Sequence, residues 1–425
     1  MITLHQGIAL IVFIATFYLI ISGRLDRVIA SFAGALVMIT LGVSFGFYSQ
    51  ETAFFEVDFN MIGLLIGMMV IVSVCKRTGF FSFVAIKTAK ASGGSPLKLM
   101  VMMGITAAFL SMILDNVTTI ILIIPITILI CDILGINPLP IIMAEIIMSN
   151  IGGVGTMIGD PPNMMIASSA DFSFMDFIVH LLPIVLAAMA LALLVLAFLF
   201  RKELKTPPRD FNPILSIDEK AAIRDVASLQ KVILSLVIVF ILFILQKRFH
   251  LHHSFIALTG AGITVVLVRP NIEEVLKDIE WPILVFFASL FVLVGGLEHA
   301  GFLKLIAGKI GQLATVNFNL AKITILWVSA IFAGLVDRIP FTAAMLPIIK
   351  HVGSLGFNVD SLWWILALGV GFGGNASPIG SIVGVVGLSM SEKTSSPIDF
   401  KIWIRTATVV TIVTILFVTL LVMVI

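Results

Sequence analysis

Long apolar runs, broken at matched places, constrain this chain more than any other feature. The runs cover residues 6–22, 28–48, 60–75, 99–114, 117–134, 139–158, 174–200, 231–249, 254–268, 281–297, 323–336, 341–353, 361–374, 376–390 and 402–425. A helix needs about 20 apolar residues to cross a bilayer, and a lipid-exposed backbone must satisfy its own polar groups. The chain therefore reads as an all-α polytopic membrane protein. Composition agrees: 60% of its 425 residues are hydrophobic and 12% charged, against about 45–50% and about 25% in soluble domains. A soluble globular fold, disorder, collagen and a disulfide scaffold are excluded. The net charge of +2 gives no case for a nucleic-acid partner. Cys75 and Cys131 lie in or beside apolar runs and read as small buried hydrophobes. The N-terminal run lacks a basic flank, and a second run follows at once, so it reads as a span and not as a cleaved leader. Neither a phosphate-binding glycine loop nor a zinc-type His or Cys spacing is present. The expectation is a chain that is not an enzyme, with no cofactor and no metal centre.

The one long polar stretch, 201–230, contains Pro207, Pro208 and Pro213 and reads as a linker between two halves. A shift of 222 residues lays Gly79 on Gly301, Phe80 on Phe302, Lys87 on Lys309, Asp115 on Asp337 and Pro125 on Pro347. A shift of 221 lays the glycine-rich stretch 152–159 on 373–380. Each half then holds three plain spans, a split apolar pair, a glycine-broken span and a final span. The split pair either re-enters or crosses twice; both give odd parity and an inverted repeat. The expected units are 1–200, a cytoplasmic linker at 201–230, and 231–425. Lys and Arg number 19 in the loops on the linker's side and 6 on the other. By the positive-inside rule the linker is cytoplasmic and both termini lie outside, in the plasma membrane.

Four breaks carry the chemistry. The first, 114–119, reads Leu-Asp-Asn-Val-Thr-Thr. Carboxylate, amide and hydroxyl oxygens are what a hard monovalent cation needs, and a carboxylate at depth is costly unless paired or hydrated. If the run crosses twice, Asp115 marks an ordinary surface turn, and both readings stand. The second break, 149–163, has four glycines in eight residues and then Pro161-Pro162, so no continuous helix runs through it. Such a stretch offers carbonyls to a cation and helix N-termini to an anion. Close packing through small residues explains Gly152 and Gly153 but not Asp160, Asn163 or the prolines. The third and fourth breaks, 337–342 and 373–384, mirror these. There Arg338 stands where Asn116 stands in the first half. A guanidinium can replace a cation or fork onto an oxyanion, or it can simply pair with Asp337. Glu145, one turn before Ser149, is a candidate proton carrier or a buried structural acid.

These motifs resemble the arsenical pump membrane protein and melanosomal P-protein branch of the ion transporter superfamily, related to divalent-anion:sodium symporters. The stretch from Ser149-Asn150-Ile151-Gly152-Gly153 to Gly159-Asp160-Pro161-Pro162-Asn163 is the most specific part. The resemblance implies two re-entrant hairpins whose tips meet two broken helices, about 10 transmembrane helices besides, and an elevator-type movement in a homodimer. It implies a cation site at Asp115, Asn116, Thr118, Gly152, Gly153, Thr156 and Asn163. The remaining break residues become candidate substrate contacts: Thr119, Asn150, Asp160, Asp337, Arg338, Pro340, Thr342, Gly374, Asn375, Ser377 and Pro378. Two departures fall on the second cation site: Arg338 in place of Asn, and Gly384 where an Asn is expected. The expected function is secondary active transport of a small anion or oxyanion, with Na⁺ or H⁺ as coupling ion. A sodium/proton antiporter and a passive anion channel are the alternatives.

Overall fold

Two sets of nine helices, in the same order, account for the apolar runs in the computed structural model, which describes residues 3–22, 24–205, 212–394 and 396–424. The first set is α1 (Leu4–Ser22), α2 (Arg27–Phe45), α3 (Phe59–Arg77), α4 (Phe80–Ala91), α5 (Pro96–Ile113), α6 (Asn116–Leu134), α7 (Leu139–Gly153), α8 (Pro161–Ala170) and α9 (Leu182–Leu199). The second is α10 (Val226–Ile244), α11 (His253–Val268), α12 (Trp281–His299), α13 (Phe302–Val316), α14 (Phe318–Leu335), α15 (Arg338–Ser354), α16 (Asp360–Gly373), α17 (Ile382–Ser391) and α18 (Phe400–Val424). No strand occurs among the described residues. Ten of the described helices are long and apolar enough to cross a membrane, so this is an integral multi-pass membrane protein. Those ten include three hairpin arms, α5, α6 and α14. They leave out α11 and the broken helices, which are shorter.

The packing repeats as the sequence does. Helix α3 of the first half packs on α11 of the second, and α12 of the second packs on α2 of the first. Within each half the first hairpin arm lies along the broken helix, α5 on α7 and α14 on α16. Across the halves the second arm of each hairpin meets the helix beyond the other's break, α6 on α17 and α15 on α8. Glycines set the closest approaches. A Cβ at Gly152 would lie 2.6 Å from the Ala108 carbonyl oxygen, and one at Gly373 would lie 2.5 Å from that of Ala330. Ala108 and Ala330 are themselves 222 residues apart.

Two segments expected as loops are helical. Residues 76–98 contain α4, and the interval after α12 contains α13. Both are amphipathic and begin after a glycine at positive φ, 83° at Gly79 and 78° at Gly301. Their mixed faces leave no continuous apolar run to read. In the linker, the short helix Glu219–Ala222 lies against α4, with Lys90 on Glu219. Part of that linker, 206–211, lies outside the described residues.

Loops assigned to one side by charge do meet. At the Lys/Arg-rich end, Arg77 pairs with Glu274 and, at 2.9 Å, with Asp278, and the Arg224 amide donates to the Thr78 carbonyl. At the other end, Lys247 pairs with Asp176 at 2.8 Å and Asn60 contacts His253 at 3.2 Å. There too the Gln6 amide donates to the Gly301 carbonyl.

Candidate functional site between the hairpin tips

Each hairpin turns on an aspartate that caps the second arm. Asp115 Oδ1 accepts from the Thr118 amide at 2.8 Å, and Asp337 Oδ1 from the Ile339 amide at 3.0 Å. The caps satisfy N–H groups that a helix start leaves free. Neither tip is a surface turn: Asn116 is 1% exposed and Arg338 3%. Thr119 and Thr342, one turn on, are buried and donate back to the carbonyls of Asp115 and Arg338.

Arg338 does not pair with its neighbour Asp337. Its Nη1 lies 2.8 Å from Oδ2 of Asp160, and both side chains are almost wholly buried. The pair ties the N-terminus of α15 to that of α8, across the two halves. Gly374 lies alongside the guanidinium, where a Cβ would meet its Cδ and Nη1 in ordinary contact at 3.5 Å. The two diagonals of the repeat therefore differ. Arg338 and Asp160 form an ion pair on one, while the matching positions on the other, Asn116 and Ser381, are neutral.

Asn150 is the hub of that neutral side. Its Nδ2 donates to Asn375 Oδ1 at 2.7 Å and to Ser381 Oγ at 3.0 Å, and its Oδ1 accepts from Asn116 Nδ2 at 3.3 Å. Asn375 donates on to the Ile147 carbonyl, and its own carbonyl accepts from Trp403 Nε1 at 3.0 Å. Two breaks and one tip are thus joined by side-chain amides.

The carbonyls freed by the first break turn to Asn163. Its Nδ2 donates to the carbonyls of Gly153, Val154 and Thr156, at 3.3, 3.1 and 2.8 Å. Thr156 Oγ1 donates to the Met112 carbonyl at 2.5 Å. Gly152 and Gly153 serve close packing there. The second break has no amide at the corresponding place, for a plain reason. A Cβ at Gly384 would lie 2.6 Å from the Pro378 carbonyl oxygen and 3.0 Å from Trp403 Cη2. Ser377 instead donates to the Gly334 carbonyl.

Two small cavities open beside the tips. One, of about 30 Å³, is lined by Asp115, Asn116, Asp160, Glu280, Asp337, Arg338 and apolar neighbours. The other, of about 80 Å³, shares Asp115 and Glu280 and continues past Thr118 to Ser73, Lys76 and Asp278. The second therefore reaches the Lys/Arg-rich end. Burial pushes the Asp278 carboxyl up, but bonds from Ser73 and Arg77 outweigh it and hold the group below its ordinary range.

Some expected site residues stand apart from these cavities. Pro340 lines an apolar groove with residues of α1, α13 and α14. Glu145 is fully buried between hairpin arm and broken helix, accepting from Thr127 Oγ1. The sequence reading missed Glu280, Ser381 and Trp403. Glu280 sits in a mixed-charge loop with nothing local to single it out. Ser381 directly follows the glycine motif, which was a usable signal.

Paired hairpins with buried polar tips, set against two broken helices in a bundle of apolar spans, define a membrane transporter. The chain belongs to the CitMHS citrate transporter family, whose profile matches residues 17–369. It is 40% identical over 414 residues to the 46 kDa membrane protein of Mycobacterium leprae, covering 96% of each chain. It is 39% identical over 414 residues to an uncharacterized transporter of Mycobacterium tuberculosis, again covering 96% of each. The P protein of Homo sapiens is 28% identical over 479 residues, covering 94% of this chain and 57% of that protein. Among solved structures, the Alcanivorax borkumensis YdaH transporter superposes with a TM-score of 0.63 at 13% identity, covering 98% of this chain and 97% of that one. This last likeness is one of fold.

Proposed function

We propose that the chain is a secondary active transporter of a small anion or oxyanion, coupled to Na⁺ or H⁺, working by an elevator-type movement in a homodimer. The observation that carries this is the buried Arg338–Asp160 pair. A guanidinium presents a planar fork to two oxygens, and in this conformation Asp160 meets it through a single contact, Nη1 to Oδ2. An incoming oxyanion offers the same face and takes the place of Asp160. The released carboxylate is then buried near Asp115, Asp337 and Glu280 without a counter-charge, which costs several kcal/mol. A cation that arrives with the anion removes the cost. Binding of the two is then thermodynamically linked, which is the requirement for symport. The 30 Å³ cavity has room for about one water-sized particle, so a larger solute enters only as the tips part. The route toward the Lys/Arg-rich end supports loading from the cytoplasm, with the linker inside and both termini outside.

The family's name makes citrate the first probe, with phosphate, sulfate and arsenite beside it. Both cysteines are buried, so arsenite, if carried, is recognised through its hydroxyls and not by a three-thiolate site. Purified protein in liposomes is given each labelled anion under an imposed Na⁺ or pH gradient. Uphill accumulation that needs the gradient and fails in Arg338→Gln is the expected result; equilibration without accumulation identifies a passive channel and overturns it.

A second reading has its own observation. Four carboxylates face one guanidinium in the small cavity, an excess that suits cation exchange. Sodium-driven proton movement with none of these anions present would establish a sodium/proton antiporter in place of the anion carrier.

A further inference from the structure

Far from the tips, one histidine joins parts that an elevator-type movement would set sliding. His253 opens α11 at the end opposite the Lys/Arg-rich loops, and it is 3% exposed. Helix α11 packs on α3 closely: a Cβ at Gly63 would lie 2.8 Å from Ser254 Cβ, and one at Gly67 2.5 Å from the Ala257 carbonyl carbon. These two helices belong to the frame around the hairpins. Across from them runs the segment 171–176, which follows α8 and goes with the broken helices, since the Phe172 ring stacks on Trp364 of α16 at 4.2 Å. His253 Nε2 lies 3.0 Å from the Phe172 carbonyl oxygen, and its Nδ1 lies 3.2 Å from Asn60 Nδ2. Two more bonds cross the same boundary. Lys247 Nζ donates to Asp176 Oδ1 at 2.8 Å, and the Phe174 amide donates to Gln246 Oε1 at 3.4 Å.

The partners decide how the ring is protonated. A carbonyl oxygen only accepts, so Nε2 carries the hydrogen. Asn60 Oδ1 accepts from the Ser254 amide at 2.9 Å, which turns Nδ2, a donor, toward the ring. Nδ1 must then accept, and only the neutral imidazole can do so. A proton on Nδ1 would set two donors face to face. Turning the Asn60 amide over would only move that conflict to the Ser254 N–H. The ring also stands at the start of α11, where the helix dipole disfavours a positive charge. We propose that His253 is a proton-sensitive clasp: as the neutral ring it ties the frame to the broken-helix body at the outer face, and proton uptake from outside drives it off Asn60 and opens that face. Asp58 and Asp171 are the acids that face the ring, and His252 is the neighbouring base. Helix α10 also packs on α11, and its one charged residue, Lys231, lies toward its other end. The inference rests on the reading of the broken helices as a moving body, yet opening of the clasp can be measured with no transported solute.

The test measures hydrogen exchange of the amides in 171–176 by mass spectrometry, on full-length protein in lipid nanodiscs. Each variant is compared with wild type at the same pH, which cancels the intrinsic pH dependence of exchange and the titration of the other histidines. His253→Gln keeps an acceptor for Asn60 and a donor for Phe172 but takes up no proton. At about pH 8 it should match wild type, and at about pH 5.5 wild type should exchange faster, because an imidazole charges over this range. The ratio should grow by up to about tenfold per pH unit, the limit for uptake of one proton. Asn60→Asp offers the charged ring an acceptor and should abolish the acid opening or reverse it. Wild type and His253→Gln that exchange alike at about pH 5.5, or an Asn60→Asp protein that opens with acid as wild type does, overturns the clasp. If exchange behaves as expected while liposomes accumulate none of the anions, the transport reading fails and the clasp stands.

Discussion

Arg338 Nη1 and Asp160 Oδ2 meet at 2.8 Å, buried, and join the second hairpin's tip to the helix beyond the first half's break. Removing one partner of a buried pair leaves the other charge uncompensated, at about 3–5 kcal/mol. Arg338→Asn and Asp160→Asn should each lower the thermal midpoint strongly. The double variant Asp160→Asn/Arg338→Asn should recover most of the loss, because a neutral pair replaces a charged one. Strictly additive losses in this cycle would show that the two side chains are not coupled.

The same residue bears on ion stoichiometry. A fixed guanidinium beside the second tip excludes a cation there by several kcal/mol at about 4 Å and intermediate dielectric. Sodium dependence of transport should follow a Hill coefficient near one. Arg338→Asn, assayed where it folds, should raise the dependence on sodium and weaken anion binding. Cooperative dependence in the wild type would contradict a single-cation mechanism.

The glycine contacts give a packing test. Gly152→Ala and Gly373→Ala press a methyl group onto backbone carbonyls, and overpacking of this kind costs about 1–3 kcal/mol. Gly262 lies inside α11, and a methyl group added there would have nothing within 4 Å of it. Gly262→Ala should be neutral or stabilise the protein by about 0.5–1 kcal/mol. Midpoints measured on the three variants in one detergent decide it; equal effects at all three positions would count against the close approach.

Asn150 holds three partners at once. Asn150→Ala strands the amides of Asn116 and Asn375, at about 1–3 kcal/mol for each buried group left unmade. Reduced stability and loss of transport are expected together. Asn150→Ala with wild-type flux would remove the hub from the working site.

Sidedness is open to labelling, because both native cysteines are buried. A cysteine placed at the exposed Ser216 in the linker should react with an impermeant maleimide only from the cytoplasm. One placed at the exposed His5 should react only from outside. Reaction of both from one face would refute an odd number of crossings between them.

The two halves were legible because their marks are local. Asp115 and Asp337, Pro125 and Pro347, and the glycines of the two broken stretches interrupt apolar sequence wherever they occur, with or without a partner. Helices α4 and α13 escaped because an amphipathic helix leaves no unbroken apolar run. Glu280 escaped because its neighbourhood is charged anyway, and only the folded chain brings the hairpin tip to it.

By itself the sequence determined a membrane-embedded, all-helical chain of two matching halves with four polar breaks. Hydrophobic length and helix-breaking residues act over a few turns, so they can be read without the fold. The tertiary structure alone decided which polar group answers which. Arg338 had an acid next door in Asp337, but that carboxylate caps its own helix. The guanidinium instead reached Asp160 in the other half, because packing α15 against α8 buries the two charges together, and buried charges must be paired.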